Sequence, residues 1–333
     1  MASAFSAIRG QDQAVGRLRA LLAEGRVPHA LLFSGPVGVG KSEAARALTQ
    51  ALQCRQAGDD GCGHCEPCRK VLLGKHPDVV TLRVAEGKTR LTIDQVRGLQ
   101  GSLAYRPFEG RHRVILLPDA EALTEEAANA LLKTLEEPPE LTHFILTSSQ
   151  PQALLDTIRS RCQLVRFAPL SREVVAQRLA QEASLPLAEA DVLAGLSEGS
   201  LGRALALHER GVLAGRRELL LAVSQLSLLA PEPLLKLSEA WGRDKEEIAD
   251  RLDLLLSWYR DLLVLASGGT ADLLIHRDLL QDPRNHPAPP LSVAEGKRCL
   301  SLLLKAREAV VERNANVRLA LERLFLGLIA RGG

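Results

Sequence analysis

The sequence lacks a clear excess of either charge. Its 333 residues include 42 lysines and arginines against 40 aspartates and glutamates. A chain that wrapped DNA through its own electrostatic field would be expected to carry a strong basic excess. Any contact with nucleic acid is therefore expected to be local or shared with partner proteins.

Long apolar runs and aromatic residues are also scarce. Aromatic residues make up 3% of the chain, and no apolar run reaches the roughly 18 residues that a membrane-spanning helix needs. The N-terminal segment has no apolar core of the kind found in a signal peptide. We therefore expect a cytoplasmic protein with no membrane partner. A length of 333 residues predicts two or three domains.

The apolar pattern divides the chain into an α/β part and a helical part. Up to residue 168, short apolar runs alternate with helix-like segments, which is typical of a domain built around a mostly parallel sheet. Five strands are predicted, over residues 30–33, 79–84, 114–117, 144–146 and 164–167. Residues 169–208 are predicted to form a small helical lid, and residues 209–333 a further domain of leucine-rich helices.

Residues 35–42 carry the strongest mechanistic motif. They read GPVGVGKS, a complete P-loop pattern directly after an apolar strand and before an alanine-rich helix. Glycines allow the backbone N–H groups to point at phosphate oxygens, and the helix N-terminus adds a favourable potential. The lysine is predicted to reach the β- and γ-phosphates and the serine to bind Mg²⁺. The predicted nucleotide-binding residues are Gly35, Gly38, Gly40, Lys41 and Ser42.

The acidic residues needed for hydrolysis do not fit the usual pattern. Hydrolysis needs an acid that holds Mg²⁺, and usually a glutamate that polarises water, at the end of a second apolar strand. After the strand at 114–117, Asp119 is followed by alanine rather than by a second acid. Glu121 comes one position too late for this role, and strand alternation predicts that its side chain points away from the place where the acid is needed.

Four of the six cysteines lie within fifteen residues. Cys54, Cys62, Cys65 and Cys68 offer enough thiolates to close a tetrahedral structural zinc site. In a reducing compartment this spacing favours a metal over disulfides, the alternative being unrelated reduced thiols. His64 lies between Cys62 and Cys65 and is expected to face solvent rather than to bind the metal.

Several segments, taken together with the P-loop and the cysteine module, resemble bacterial clamp-loader subunits of the AAA+ family. The matching segments are residues 76–79 (HPDV), 93–97 (IDQVR), 129–139 (NALLKTLEEPP) and 160–162 (SRC). The resemblance extends over essentially the whole chain. It implies an AAA+ domain over 1–168, a lid over 169–208, and a collar over 209–333 that assembles subunits into a ring. Residues 314–319 resemble part of that collar.

Two members of this family fit the sequence: the ATP-hydrolysing gamma/tau motor, and the delta-prime subunit, which acts as a stator and often has a degenerate nucleotide site. Counting back from Asn129 places the motor's Asp-Glu pair on Pro118 and Asp119. Proline cannot bind Mg²⁺. The resemblance therefore favours delta-prime, an accessory subunit of DNA polymerase III with weak or absent ATPase activity, and the motor is the alternative.

The resemblance also implies roles for single residues. Arg161, in the Ser-Arg-Cys triplet, is expected to act as an arginine finger on a neighbouring subunit's γ-phosphate rather than as a surface salt bridge. Gln11 is expected to border the adenine, and Ser148 to lie near the polar sensor of the γ-phosphate. Gly202 occupies the position of the motor's sensor-2 arginine, with Arg203 displaced by one residue.

The expected partners are the gamma/tau and delta subunits, the sliding clamp and primed DNA, all within one hetero-oligomer. A different class of function, a zinc-dependent reader of nucleic acid, would use the cysteine module for binding. The balanced charge weighs against that function because such binding depends on cationic contacts to phosphates.

Overall fold

The first half of the chain folds around five parallel strands. A computed structural model describes residues 4–56, 58–103, 106–227, 231–241, 244–280, 291–313 and 315–330. The strands are β1 (Ala30–Ser34), β2 (Val79–Thr81), β3 (Arg113–Leu117), β4 (Thr142–Ser148) and β5 (Gln163–Arg166). They form one sheet in the order β2-β3-β4-β1-β5, and every neighbouring pair is parallel. The predicted parallel sheet is confirmed.

Helices cover both faces of this sheet. They are α1 (Asp12–Ala23), α2 (Lys41–Gln53), α3 (Glu66–Leu72), α4 (Ile93–Leu103), α5 (Glu125–Glu136) and α6 (Asp156–Arg161). One buried cluster joins Ile115 of β3 to Leu131 of α5 and Ile158 of α6. A second joins Val114 of the same strand to Leu48 of α2. Because neighbouring residues of β3 enter opposite clusters, both faces of the sheet are buried.

The ends of α5 follow from local sequence. Thr124 precedes the helix, and its side-chain oxygen accepts a hydrogen bond from the Ala127 N–H at 3.2 Å. This is an N-cap, which satisfies one of the N–H groups that a helix start leaves without a partner. The prolines at 138 and 139 end the helix, since proline disfavours helical backbone at the residue before it.

The parallel arrangement brings three chain segments to one edge of the sheet. In the register of the strands, Ser34 at the end of β1 is opposite Ser148 at the end of β4. Leu117 at the end of β3 is opposite Leu146. The segments that follow β1, β3 and β4 therefore leave the sheet at the same edge, which is where ligands bind in open parallel sheets.

After β5 the described residues contain helices and connecting segments but no further strand. The helices are α7 (Arg172–Glu182), α8 (Leu187–Leu196), α9 (Leu201–Glu209), α10 (Arg216–Ser224), α11 (Pro231–Ala240), α12 (Lys245–Ala266), α13 (Arg277–Leu280), α14 (Val293–Arg307) and α15 (Val317–Ile329). Within the described segments, every helix is too short or too polar to cross a membrane.

Contacts along the chain define two compact units. One consists of Met1–Val174 and Gly199–Gly202, and the other of Val175–Glu198 and Arg203–Gly333. The finer division into a lid and a collar remains a proposal. Asn314 of the expected collar segment lies outside the described residues. Asn316 caps α15, because its side-chain oxygen accepts a hydrogen bond from the Leu319 N–H at 3.2 Å.

Candidate nucleotide site, zinc centre and surface arginine

The P-loop connects β1 to α2, as predicted. Gly38 and Gly40 have φ angles of 74° and 104°, in the left-handed region that favours glycine. The Gly35 N–H donates to the Ser148 carbonyl at 3.2 Å, which ties the loop to the end of β4. Lys41 lies against the loop itself, and its Nζ donates to the carbonyls of Gly35 and Pro36, each at 2.6 Å.

Acidic side chains act on Lys41 from the same sheet edge. Burial lowers the pKa of Lys41, and the negative charges of Glu121, Asp119 and Glu43 oppose that effect. Glu121 makes the largest of these opposing contributions. Two carboxylates from the segment after β3 therefore lie within electrostatic reach of the lysine that is predicted to bind phosphate.

The segment after β3 departs from the expected geometry at Glu121. The strand ends at Leu117, Asp119 adopts a left-handed conformation with φ of 50°, and a 3-10 turn follows over Ala120–Ala122. Strand alternation therefore does not apply to Glu121, and its direction is set by this turn instead. Its Oε1 accepts hydrogen bonds from the Ser149 N–H at 2.9 Å and the Ser149 hydroxyl at 2.7 Å.

Glu121 is held in its charged form. Burial alone would raise its pKa, but the hydrogen bonds donated to it, most strongly by the Ser149 hydroxyl, bring the pKa below its ordinary value. Pro118, by contrast, has no side-chain group that could bind a metal. Sequence reasoning missed the contact with Ser149, and the only signal for it was an acid soon after a strand end.

Gln11 joins the P-loop to the segment after β5. Its Nε2 donates to the Val39 carbonyl at 3.0 Å and to the Ala168 carbonyl at 2.7 Å. Its Oε1 accepts from the Ala168 N–H at 3.2 Å, and the residue is buried. Ser148 is also buried, and its hydroxyl accepts from the Gln150 N–H at 3.1 Å. Both residues lie beside the P-loop, and their predicted contacts with adenine and γ-phosphate remain predictions.

The turn over residues 199–202 packs directly on the P-loop. The Gly202 N–H donates to the Gly38 carbonyl at 3.2 Å. A Cβ atom on Gly38 would lie 2.4 Å from the Ser200 hydroxyl oxygen, so the close approach requires glycine. Arg203, next in sequence, donates instead to Asp253 at 2.8 Å.

The four clustered cysteines converge as a zinc site requires. Their sulfur atoms all lie within 4.8 Å of one another. The Cys54–Cys65 and Cys62–Cys68 sulfur pairs are each 4.0 Å apart. Four thiolates at about 2.3 Å from one zinc ion would be about 3.8 Å apart, so the residues fit this metal.

Local backbone supports metal binding by these thiols. The Cys62 N–H points at the Cys54 sulfur at 3.5 Å, and the Cys65 N–H at the Cys62 sulfur at 3.3 Å. Burial raises the pKa of Cys54 and of Cys68, so a cation would be needed to keep both thiols ionised. His64 is exposed, and its Nδ1 lies 2.8 Å from the Cys62 carbonyl rather than among the sulfurs.

Arg161 is the last residue of α6 and lies at the surface. Its side chain is 34% exposed, and Nη2 lies 2.5 Å from Oε1 of Glu136, the last residue of α5. Its Nη1 donates to the Thr157 carbonyl at 3.0 Å. The guanidinium is therefore accessible, held by one carboxylate and by its own helix.

A parallel sheet with a P-loop after its first strand, covered by helices on both faces, defines a P-loop nucleotide-binding fold. The model of the family described as "DNA polymerase III, delta subunit" matches residues 10–171. DNA polymerase III subunit delta′ of Bacillus subtilis (strain 168) is 30% identical over 307 residues, covering 91% of both chains. The chain belongs to the DNA polymerase III delta′ family.

Further comparisons cover less of the relative or share less sequence. DNA polymerase III subunit delta′ of Escherichia coli (strain K12) is 40% identical over 194 residues, and the match spans 58% of each chain. A solved structure of a DNA polymerase III gamma subunit-related protein from Thermotoga maritima has a TM-score of 0.44 and 22% identity. That superposition covers 96% of this chain and 99% of the other.

Proposed function

We propose that the chain is the delta-prime stator of a bacterial clamp loader. It would complete a ring with the gamma/tau and delta subunits and help to place the sliding clamp on primed DNA in the cytoplasm. Membership of the delta′ family supports this role. The observation that carries it is an accessible arginine in the Ser-Arg-Cys triplet, in a chain whose own metal-acid position holds proline.

Arg161 would act in trans on a neighbouring motor subunit. A guanidinium beside the γ-phosphate stabilises the charge that develops there during hydrolysis, and such arginines accelerate hydrolysis about 10³- to 10⁵-fold in other P-loop systems. The side chain ends a short helix and is partly exposed, as a residue at a subunit boundary needs to be.

The chain's own site would bind ATP but hydrolyse it weakly. The P-loop supplies Lys41 and Ser42 at the start of α2, and these would hold the phosphates and Mg²⁺. Pro118 removes the usual metal-binding acid. The zinc held by the four cysteines would be structural, because four thiolates leave no open position for catalysis.

Replacing Arg161 by alanine, in this subunit alone, tests the proposal. ATP turnover and clamp loading would be measured in a reconstituted complex whose other subunits are wild type. Single-turnover hydrolysis at the adjacent motor site should fall by a factor approaching about 10³. Lysine should rescue it poorly, because an ammonium group cannot reproduce the planar fork of guanidinium.

Arg159 provides the matched control. It lies on the same helix, and in the structure it pairs with Asp156. Arg159→Ala removes the same charge and should leave hydrolysis at the adjacent site unchanged. Unchanged hydrolysis in the Arg161→Ala complex, with assembly intact, would make Arg161 a surface ion pair and nothing more.

A second candidate, a hydrolysing gamma/tau-like motor, is favoured by one observation. The complete P-loop has a charged carboxylate within electrostatic reach of Lys41, although Pro118 is not an acid. Clamp- and DNA-stimulated ATPase activity of this subunit alone, abolished by Lys41→Ala, would support the motor. Turnover that is absent from the isolated subunit would support the stator.

A further inference from the structure

Glu136 and Arg161 form an ion pair between the ends of two helices. Glu136 is the last residue of α5, Arg161 the last of α6, and their charged atoms are 2.5 Å apart. The Thr157 carbonyl accepts from the other terminal nitrogen of the guanidinium at 3.0 Å. The same nitrogen also donates to the Ser160 hydroxyl at 3.5 Å. These three contacts use only part of a group that has five N–H donors, which leaves others for a phosphate.

The two helix ends are fixed relative to each other. Leu135, next to Glu136, and Cys162, next to Arg161, are both buried in one apolar cluster of the sheet's face. Ile158 of α6 belongs to the same cluster. Because each charged residue is adjacent to a buried one, the backbone at both positions is held in place, and the two side chains start from fixed points beside each other.

Local helix electrostatics do not favour an acid at Glu136. A helix C-terminus carries partial negative charge, so acidic side chains are unfavourable there. α5 nevertheless ends on Glu136 and is capped by Glu137. The ion pair offers little stability in return, since both of its side chains are substantially exposed. Residues that break a local rule are found mainly at functional or strained sites, so Glu136 is a candidate for a functional role.

We infer that Glu136 is a positioning residue for Arg161: it holds one side of the guanidinium so that the remaining N–H groups face the neighbouring subunit's γ-phosphate. The inference rests on the proposed function. An arginine side chain has many rotamers, and it loses conformational entropy when it contacts a phosphate. The contact with Glu136 restricts those rotamers beforehand, so less entropy is lost at the moment of contact. Glu136 would not touch the nucleotide itself.

A double-mutant cycle in the reconstituted complex tests this inference. Glu136→Ala should slow single-turnover hydrolysis at the adjacent site by about fivefold, equivalent to about 1 kcal/mol. In the Arg161→Ala background the same change should slow it no further, because a positioning residue acts only through the group that it positions. Glu136→Asp should be intermediate, since it keeps the charge on a shorter side chain.

Glu137→Ala is the matched control. It removes a neighbouring exposed acid from the end of the same helix, outside the Glu136–Arg161 pair. It should leave hydrolysis unchanged, and Glu136→Gln replaces Glu136→Ala if the alanine variant does not assemble. The neutral amide also lacks the charge that holds the guanidinium, so the same slowing is expected.

The outcomes separate the two proposals. If Arg161→Ala slows hydrolysis and Glu136→Ala does not, the positioning role is wrong and the arginine finger stands. Equal slowing by Glu136→Ala in both backgrounds would also overturn it, because Glu136 would then act independently of Arg161. If Arg161→Ala itself has no effect, the proposed function has failed.

Discussion

At the scale of single residues, the acid beside the P-loop shows what the sequence could and could not predict. The identities of Lys41 and Ser42 follow from a motif whose backbone geometry is local. The contact between Glu121 and Ser149 joins residues 28 positions apart and depends on the left-handed conformation of Asp119. No periodicity in the sequence encodes that conformation, and strand alternation predicts side-chain direction only as far as Leu117, where the strand ends.

A contact between the buried His143 and the half-buried His112, at the opposite end of the strands, was also not predicted. His143, on β4, lies with Nε2 3.1 Å from Nδ1 of His112, just before β3. Burial lowers the pKa of His112 to about 4, with further lowering by His143 and Arg111. Burial likewise lowers the pKa of His143. Both imidazoles are therefore neutral at physiological pH.

His112 should make the protein sensitive to mild acid. Its pKa is about 4 in the folded protein, and an unfolded histidine has a pKa of about 6.5. As pH falls, His112 of the unfolded state binds a proton before His112 of the folded state does. Protonation of His112 therefore does not reduce the free energy of unfolding above about pH 6.5, and reduces it progressively as the pH falls towards 4. The free energy of unfolding of His112→Gln and of the wild type can be measured by chemical denaturation at pH 7 and at pH 5. The variant should lose less of this free energy between pH 7 and pH 5 than the wild type loses.

His208→Gln, on α9, is the control for that measurement and should lose stability between the two pH values as the wild type does. Selective labelling of histidine and NMR titration gives an independent readout. An imidazole signal of His112 that titrates near pH 6.5 would contradict the prediction.

At the scale of elements, helix ends were predictable where short-range signals set them. The threonine at 92 and the glutamine at 95 predict the start of α4, and the Thr92 N–H does donate to the Gln95 side chain at 3.2 Å. The packing of the turn at 199–202 on the P-loop was not predictable in the same way. It joins segments more than 150 residues apart in the sequence. Glycines at these positions are equally compatible with ordinary turns between helices.

Two glycines should respond in opposite directions to alanine. Gly38 has a positive φ and no room for a Cβ beside Ser200, so Gly38→Ala should destabilise the protein by more than about 1 kcal/mol. Gly16 lies inside α1 with nothing within 4 Å of a Cβ, so Gly16→Ala should stabilise it by about 0.5–1 kcal/mol. Urea denaturation of both variants checks the signs, and a stabilising Gly38→Ala would show that the loop does not adopt this conformation.

At the scale of the whole molecule, the order of α/β and helical parts could be predicted because composition changes along the chain. The boundary between units could not, since residues 199–202 belong with the first unit although the chain on both sides of them belongs with the second. Residues 199–202 belong with the first unit because they contact the P-loop, and no linker in the sequence marks this boundary. Leucine stripes predict helices, but they do not say which helices share a core.

Zinc should stabilise one of these units and not the other. The metal would join Cys54, at the end of α2, to Cys65 and Cys68, at the start and inside of α3, all within the first unit. Cys65→Ser should therefore lose the zinc found by metal analysis, because three thiolates close the site poorly. Amide hydrogen exchange should rise in α2 and α3 and remain unchanged in α12 and α14.

Cys299→Ala is the control for loss of a thiol. Cys299 is a buried residue of α14, in the second unit and outside the cysteine cluster. This variant should keep one zinc per chain, and any increase in exchange should be confined to the second unit. A metal-free Cys65→Ser protein in which α2 and α3 exchange as slowly as in the wild type would show that the helix packing holds this module without zinc.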